Sequence, residues 1–168
     1  MDASISPSSD AGDVAWRTSD DVMKCTLEMV FLAHLQMAEC ADKVLAEHAM
    51  GRTHHRIMYF ANRKPGVSVN ELLELLPISN QAISRSISQL MKKGLVEQRY
   101  GRDDRRVREH YITEKGVALL EVLTSQQMDV LRSAHTEMDE PQIRGLWEAL
   151  RTMIRPRDMK WLATVPKT

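Results

Sequence analysis

A chain of 168 residues, 43% hydrophobic and 27% charged, has room for one domain with a substantial core and the balance of an ordinary globular fold. No apolar run approaches the roughly eighteen residues that cross a bilayer, and the opening MDASISPSSDAGD is polar and acidic rather than signal-like, so no membrane is expected as partner. The formal charge of zero argues against a nucleic-acid binder only until it is divided along the chain: Ser79 to Gly116 carries nine Lys/Arg against five Asp/Glu, residues 1–50 three against nine.

Residues 1–18, rich in Ser and Asp, read as a disordered tail. A long helix is predicted from Ser19 or Asp20 to about His48, with Met23, Leu27, Val30, Met37, Ala41 and Val44 on one stripe and Phe31, Leu35, Ala38 and Leu45 widening it. Two buried sides in so small a protein imply a second copy of the chain in a two-fold homodimer. Cys25 and Cys40 lie on this predicted helix too far apart to pair with each other, which points to a reducing cytoplasm. A second helix is predicted over Arg52–Asn62, closed by Arg63-Lys64-Pro65-Gly66.

Ser68 followed by Glu71 is a capping box before Leu72, Leu73, Leu75 and Leu76, and Pro77 stops that helix. Ser79 caps the next, in which Ile83, Ile87, Leu90 and Met91 keep helical spacing until Gly94 offers a left-handed exit. Its other face is polar, with Asn80, Gln81, Ser84, Arg85, Ser88, Gln89 and Lys92 able to hydrogen-bond base edges or phosphates. Two short helices around a tight turn form a helix-turn-helix, whose second helix enters the major groove of double-stranded DNA. The period then becomes two over Leu95–Tyr100 and Val107–Ile112, a hairpin whose tip carries Arg102, Asp103, Asp104, Arg105 and Arg106. Arginine at such a tip suits the minor groove, while an Asp can hold an Arg in place by a paired hydrogen bond. Thr113 caps a helix out to about Met138, and Asp139-Glu140-Pro141 starts a last one through Ile143, Leu146, Trp147, Leu150 and Ile154 to Pro156.

The run from Pro77 to Gly116 resembles the winged helix-turn-helix of the MarR family of bacterial transcriptional regulators. The Ser84-Arg85 pair, the exit Lys93-Gly94-Leu95-Val96, the wing Asp103-Asp104-Arg105-Arg106 and the start Thr113-Glu114-Lys115-Gly116 carry the likeness. It implies a mainly α fold with a small β-hairpin wing, in which residues 51–116 form the DNA-binding region and residues 19–50 and 117–160 a helical dimerisation region built from both termini. The implied function is regulation, as a homodimeric repressor on pseudo-palindromic operators, with affinity tuned by a small-molecule effector. On this reading Asn80, Gln81, Ser84 and Arg85 lie toward base edges, Ser88, Gln89 and Lys92 toward phosphates, and the capping Ser79 is a further candidate DNA contact. Arg102, Arg105 and Arg106 are equal candidates for the groove, with Asp103 and Asp104 steadying the wing. His34, Arg52, His54, His55 and Met58, with Arg56, are candidate effector contacts in a cleft.

Four competing readings bear on this. His34 reads first as a satisfied core residue of its stripe. Cys25 would make a thiol-responsive regulator if cationic neighbours lowered its pKa, but both cysteines read first as buried structural residues. A metal-responsive regulator would need a Cys or His pair at the spacing of a structural zinc motif, which the sequence lacks, so no metal and no cofactor are expected. A winged helix used only for protein contacts would show an apolar or acidic face on the second helix. No phosphate-cradling glycine pattern, nucleophile elbow or HExxH occurs, so an enzyme is not expected.

Overall fold

The computed structural model describes residues 14–101 and 104–162. Residues 14–17 form a helical turn, so this part of the expected tail is structured; residues 1–13 lie outside the described residues. The chain divides into two compact units, one ending at Glu39 and the other beginning at Cys40.

The first unit contains helix α1, Asp20–Glu39, with Asp20 and Asp21 placed favourably at the positive end of its dipole. None of its residues is buried, and Leu27, Met29, Phe31 and Leu32 are each at least 60% exposed. The single helix expected to reach His48 is in fact two. Neither glycine nor proline marks the break at Cys40-Ala41, and Ala41 begins α2, Asp42–Glu47, without a side-chain cap. Ala41 and Leu45 are buried in the core of the second unit, which fixes where the new helix must start.

In that second unit α3, Arg52–Arg63, is central, packed against the helix that follows the turn, against the sheet and against the helix after the wing. Its Ile57, Met58 and Ala61 are fully buried. Burial of side chains the size of Ile57 and Met58 stabilises the fold by about 2 kcal/mol each. Strand β1, Val67–Ser68, leads into α4, Val69–Leu75. Ser68 Oγ accepts from the Glu71 N–H at 3.3 Å and the Ser68 N–H donates to Glu71 Oε2 at 3.0 Å, the capping box legible in the sequence. Leu76 is already extended before Pro77.

Helix α5, Asn80–Lys92, starts at Ser79, whose Oγ accepts from the Ala82 N–H at 3.2 Å. Ile83, Ser86, Ile87 and Leu90 face the core, whereas Met91 is 38% exposed, one position off that stripe. Gly94 has φ of 69°, the left-handed exit that a side chain disfavours. Strands β2, Val96–Tyr100, and β3, Arg108–Ile112, pair antiparallel with Val96 opposite Ile112 and Tyr100 opposite Arg108. The sheet has a third strand that the hairpin reading did not include: β1 pairs with β3, placing Val67 opposite His110. Two residues are too few to display an alternating pattern.

Thr113 Oγ1 accepts from the Gly116 N–H and opens α6, Glu114–Thr136. Leu120 and Leu123 are buried, while Val122, Met128 and Leu131 are at least 40% exposed. Asp139 and Gln142 form a second capping box at α7, Glu140–Met153, which buries no residue. A 3-10 helix, Pro156–Trp161, then packs Trp161 edge-to-face on Phe60 of α3, ring centroids 5.2 Å apart.

Candidate nucleic-acid interface

The polar row of α5 is presented as a surface because its opposite row is buried. Asn80, Gln81, Ser84, Arg85, Ser88 and Lys92 are all exposed. Ser79 spends its hydroxyl on the cap, which holds the helix N-terminus where a reading helix must begin. Ser84 Oγ donates to Asn80 Oδ1 at 3.1 Å, so the amide oxygen of Asn80 is oriented from one turn further on. Gln89 differs from the rest of the row: it is half-buried, with Oε1 2.7 Å from His54 Nε2.

Gly51, Arg52, Thr53 and His54, at the start of α3, face Ser79, Gln81, Ala82, Arg85, Ser86 and Gln89 across an open groove of about 710 Å³. The candidate effector residues do not assemble there as a set. Arg52 forks onto Asp42, Nε to Oδ1 at 2.9 Å and Nη2 to Oδ2 at 2.6 Å, and that hydrogen bond holds the Asp42 carboxyl below its usual range. His54 is only 9% exposed and accepts from the Gly51 N–H at Nδ1, 3.0 Å away. His55 is half-buried, and burial, aided by the Arg56 charge, lowers its pKa. Arg56 is exposed. Met58 lies wholly inside the core and lines no cleft. His34 is exposed on α1, in the other unit, rather than a core residue of its helix.

The wing turns through Gly101, whose N–H donates to the Val107 carbonyl at 3.0 Å. Asp104 Oδ1 accepts from the backbone N–H of Arg106 at 2.8 Å. Asp104 therefore steadies the turn through the main chain, where the sequence suggested a carboxylate–arginine pair. Arg105 and Arg106 are exposed; Arg102 and Asp103 lie outside the described residues. Two further arginines flank the ribbon and were not singled out from sequence. The Arg108 guanidinium sits 3.9 Å from the centre of the Tyr100 ring, and that of Arg99 4.5 Å from Tyr111. An Arg and a Tyr on each of two paired strands, Arg99 and Tyr100 on β2 and Arg108 and Tyr111 on β3, were the signal available for them.

Cys25 is exposed and Cys40 half-buried, both as free thiols, so the reading of Cys25 as a buried residue does not hold in the protomer. Among the described residues no three His, Cys, Asp or Glu side chains are grouped to hold a metal ion, and no helix is long and apolar enough to cross a membrane.

A sequence model of the MarR family matches residues 50–107, the stretch that holds α3, the helix-turn-helix and the first strand of the wing. The HTH-type transcriptional regulator PetP of Rhodobacter capsulatus is 32% identical over 145 residues, covering 86% of this chain and 87% of PetP. The chain belongs to the MarR family. Its members are transcriptional regulators rather than enzymes. Solved structures agree on the fold. BldR of Sulfolobus solfataricus superposes with a TM-score of 0.62 at 18% identity, covering 80% of this chain and 94% of BldR. The F27L variant of Staphylococcus aureus MepR, in a complex with an oligodeoxyribonucleotide, gives 0.53 at 18% identity and covers 76% and 94%.

Proposed function

We propose that this MarR-family regulator is a cytoplasmic, sequence-specific DNA-binding repressor that acts as a homodimer on pseudo-palindromic operators. The observation that carries the reading is the exposed row Asn80, Gln81, Ser84 and Arg85 on a helix whose other face is locked into the core by Ile83, Ile87 and Leu90. Such a row can meet base edges, with Arg85 suited to a bidentate bond to guanine. Ser88 and Lys92, farther along α5, would meet phosphates, and the exposed Arg105 and Arg106 of the wing would lie along the minor groove. The oligodeoxyribonucleotide complex of the MepR variant supports DNA as the partner.

The dimer is supported by the apolar surface of α1 and of the distal halves of α6 and α7, where Phe31, Leu131 and Met153 are all at least 40% exposed in a single protomer. Two copies of α5 about 34 Å apart would read half-sites one helical turn apart. A small effector would act by favouring a dimer geometry that no longer matches that spacing. The groove between α3 and α5 has a volume within the range of small-molecule sites, which supports effector binding near Arg85.

Selection of bound sequences from random duplexes tests the reading. Wild-type protein is expected to enrich a two-fold symmetric site, and Arg85→Ala to weaken that site by about 1 to 3 kcal/mol with little change on scrambled DNA. Failure to enrich any sequence would overturn it.

A further inference from the structure

The contact between α3 and α5 contains a chain of hydrogen bonds whose polarity is forced. The backbone N–H of Gly51 can only donate, and its partner, 3.0 Å away, is His54 Nδ1. Nδ1 is therefore the unprotonated nitrogen, and the ring carries its hydrogen on Nε2. An Nε2–H needs an acceptor, which fixes the atom of Gln89 at 2.7 Å as the amide oxygen Oε1. With Oε1 turned to the His54 ring, the other end of the Gln89 amide is its NH2, which can only donate. Gln89 lines the same groove as Gln81 and Arg85, two of the proposed reading residues. His54 is 9% exposed, so solvent does not compete freely for the ring.

We infer that His54 is a positioning residue for DNA recognition: it locks the Gln89 amide into a donor-only orientation, so that Gln89 selects an acceptor-bearing base edge rather than serving as an interchangeable phosphate contact. The inference rests on the DNA-reading role of α5 proposed above. A free glutamine offers either end of its amide and so accepts either a donor or an acceptor from the base. Tethered through Oε1, it favours the acceptors of guanine (N7 and O6) and thymine (O4) and rejects the exocyclic amino groups of adenine and cytosine. The same ring caps α3 through Gly51, so the orientation of a reading side chain on α5 is tied to the start of a different helix.

The test separates the tether from the cap. In His54→Asn the shorter side chain still offers Oδ1 to the Gly51 N–H but does not reach Gln89; in Gln89→Met the ring and cap stay and the amide is lost. Binding is measured to the selected operator, to operators changed at one base pair at a time, and to a scrambled duplex. Expected is a wild-type preference for guanine or thymine at one position, lowered about tenfold by each variant, with no further loss in the double variant. Retention of the preference by His54→Asn, or additive losses in the double variant, overturns the inference while leaving DNA reading by α5 intact. Wild-type protein with no preference at any position overturns both. Ring nitrogen chemical shifts of His54 in the free protein give a second reading, expected to show hydrogen on Nε2; hydrogen on Nδ1 removes the forced polarity.

Discussion

A Cβ built on Gly116 would stand far inside van der Waals contact distance of the Leu95 carbonyl oxygen and 2.7 Å from Ile112 Cγ1. The first turn of α6 is thus seated directly on the backbone that leaves α5. The Thr113 N–H donates to the same Leu95 carbonyl at 3.1 Å, and Thr113 Oγ1 donates to the Gly94 carbonyl at 2.7 Å. This junction is the physical content of the Thr-Glu-Lys-Gly motif: a cap, and a helix position where only hydrogen fits.

Gly116→Ala should therefore destabilise the protein, although alanine is favoured over glycine in a helix by about 1 kcal/mol. The overlap is with main chain, which cannot rotate away, and overpacking of this kind costs about 1 to 3 kcal/mol. Urea unfolding would show a lower midpoint at unchanged slope. An unchanged or raised midpoint would mean that the junction relaxes freely.

Acidification should weaken the fold through histidines before any carboxylate titrates. His110 is 1% exposed on β3, with Nδ1 3.0 Å from the Val67 carbonyl. Burial lowers its pKa from the ordinary 6.5, partly opposed by that carbonyl, and burial also lowers His55. The unfolded chain takes up protons near pH 6.5 that the folded chain refuses, so stability is whole above that value and declines as pH falls below it. Glu71 acts lower down: burial works to raise its pKa, the bonds from Lys64 and Ser68 outweigh it, and the stability it contributes is lost only as pH falls below 4.5 through its lowered value. Melting temperature should fall between pH 7.5 and 5.5, and less steeply in His110→Asn, which can still donate to Val67 without titrating. Equal slopes in the two proteins would exclude His110 as a source.

Salt dependence should separate the reading contacts from the positioning ones. Lys92 and Arg105 are exposed cations at the far end of α5 and on the wing. Removing either one should lower the slope of log affinity against log salt by about one unit, with the preferred sequence unchanged. A change in the preferred base on Lys92→Ala would place that residue at a base edge instead.

Much of the unit from Cys40 onward was legible because its signals are local. Ser68 with Glu71, Ser79, Thr113 and Asp139 announced four helix starts, and Gly94 one exit, each by a hydrogen bond or a φ value that few residues provide. The exposed row of α5 followed from the same 3.6 period that marked its core row. The break at Cys40-Ala41 was not legible, since the apolar pattern runs through it and only the burial of Ala41 and Leu45 in a separate core decides it. The bond that His54 makes was hidden for a related reason. A histidine at the start of a helix suggests a ligand contact, whereas its bond to Gln89 spans 35 residues and leaves no mark in any local window. Trp161 lay beyond the last predicted helix, and its docking on Phe60 is again a long-range contact.

The exposed apolar face of α1 yields the prediction on which the proposed mechanism depends most. Leu27 and Phe31, one turn apart, are 69% and 60% exposed, and the helix buries no residue in a single protomer. Uncovered apolar surface of that extent is unusual on a stable monomer, so a second copy is expected to cover it. Sedimentation velocity should give twice the 19.2 kDa chain mass for the wild type and a single chain mass for Leu27→Glu with Phe31→Glu. The second compact unit, which holds α5 and the wing, should keep its cooperative melting in that variant, because neither residue belongs to its core. Operator binding should nevertheless collapse toward the affinity for a half-site, since two linked reading helices bind far more tightly than either alone. A monomeric wild type that still binds a symmetric operator cooperatively would require the two copies to meet only on DNA. Full-strength binding by a monomeric variant would remove the dimer from the mechanism altogether.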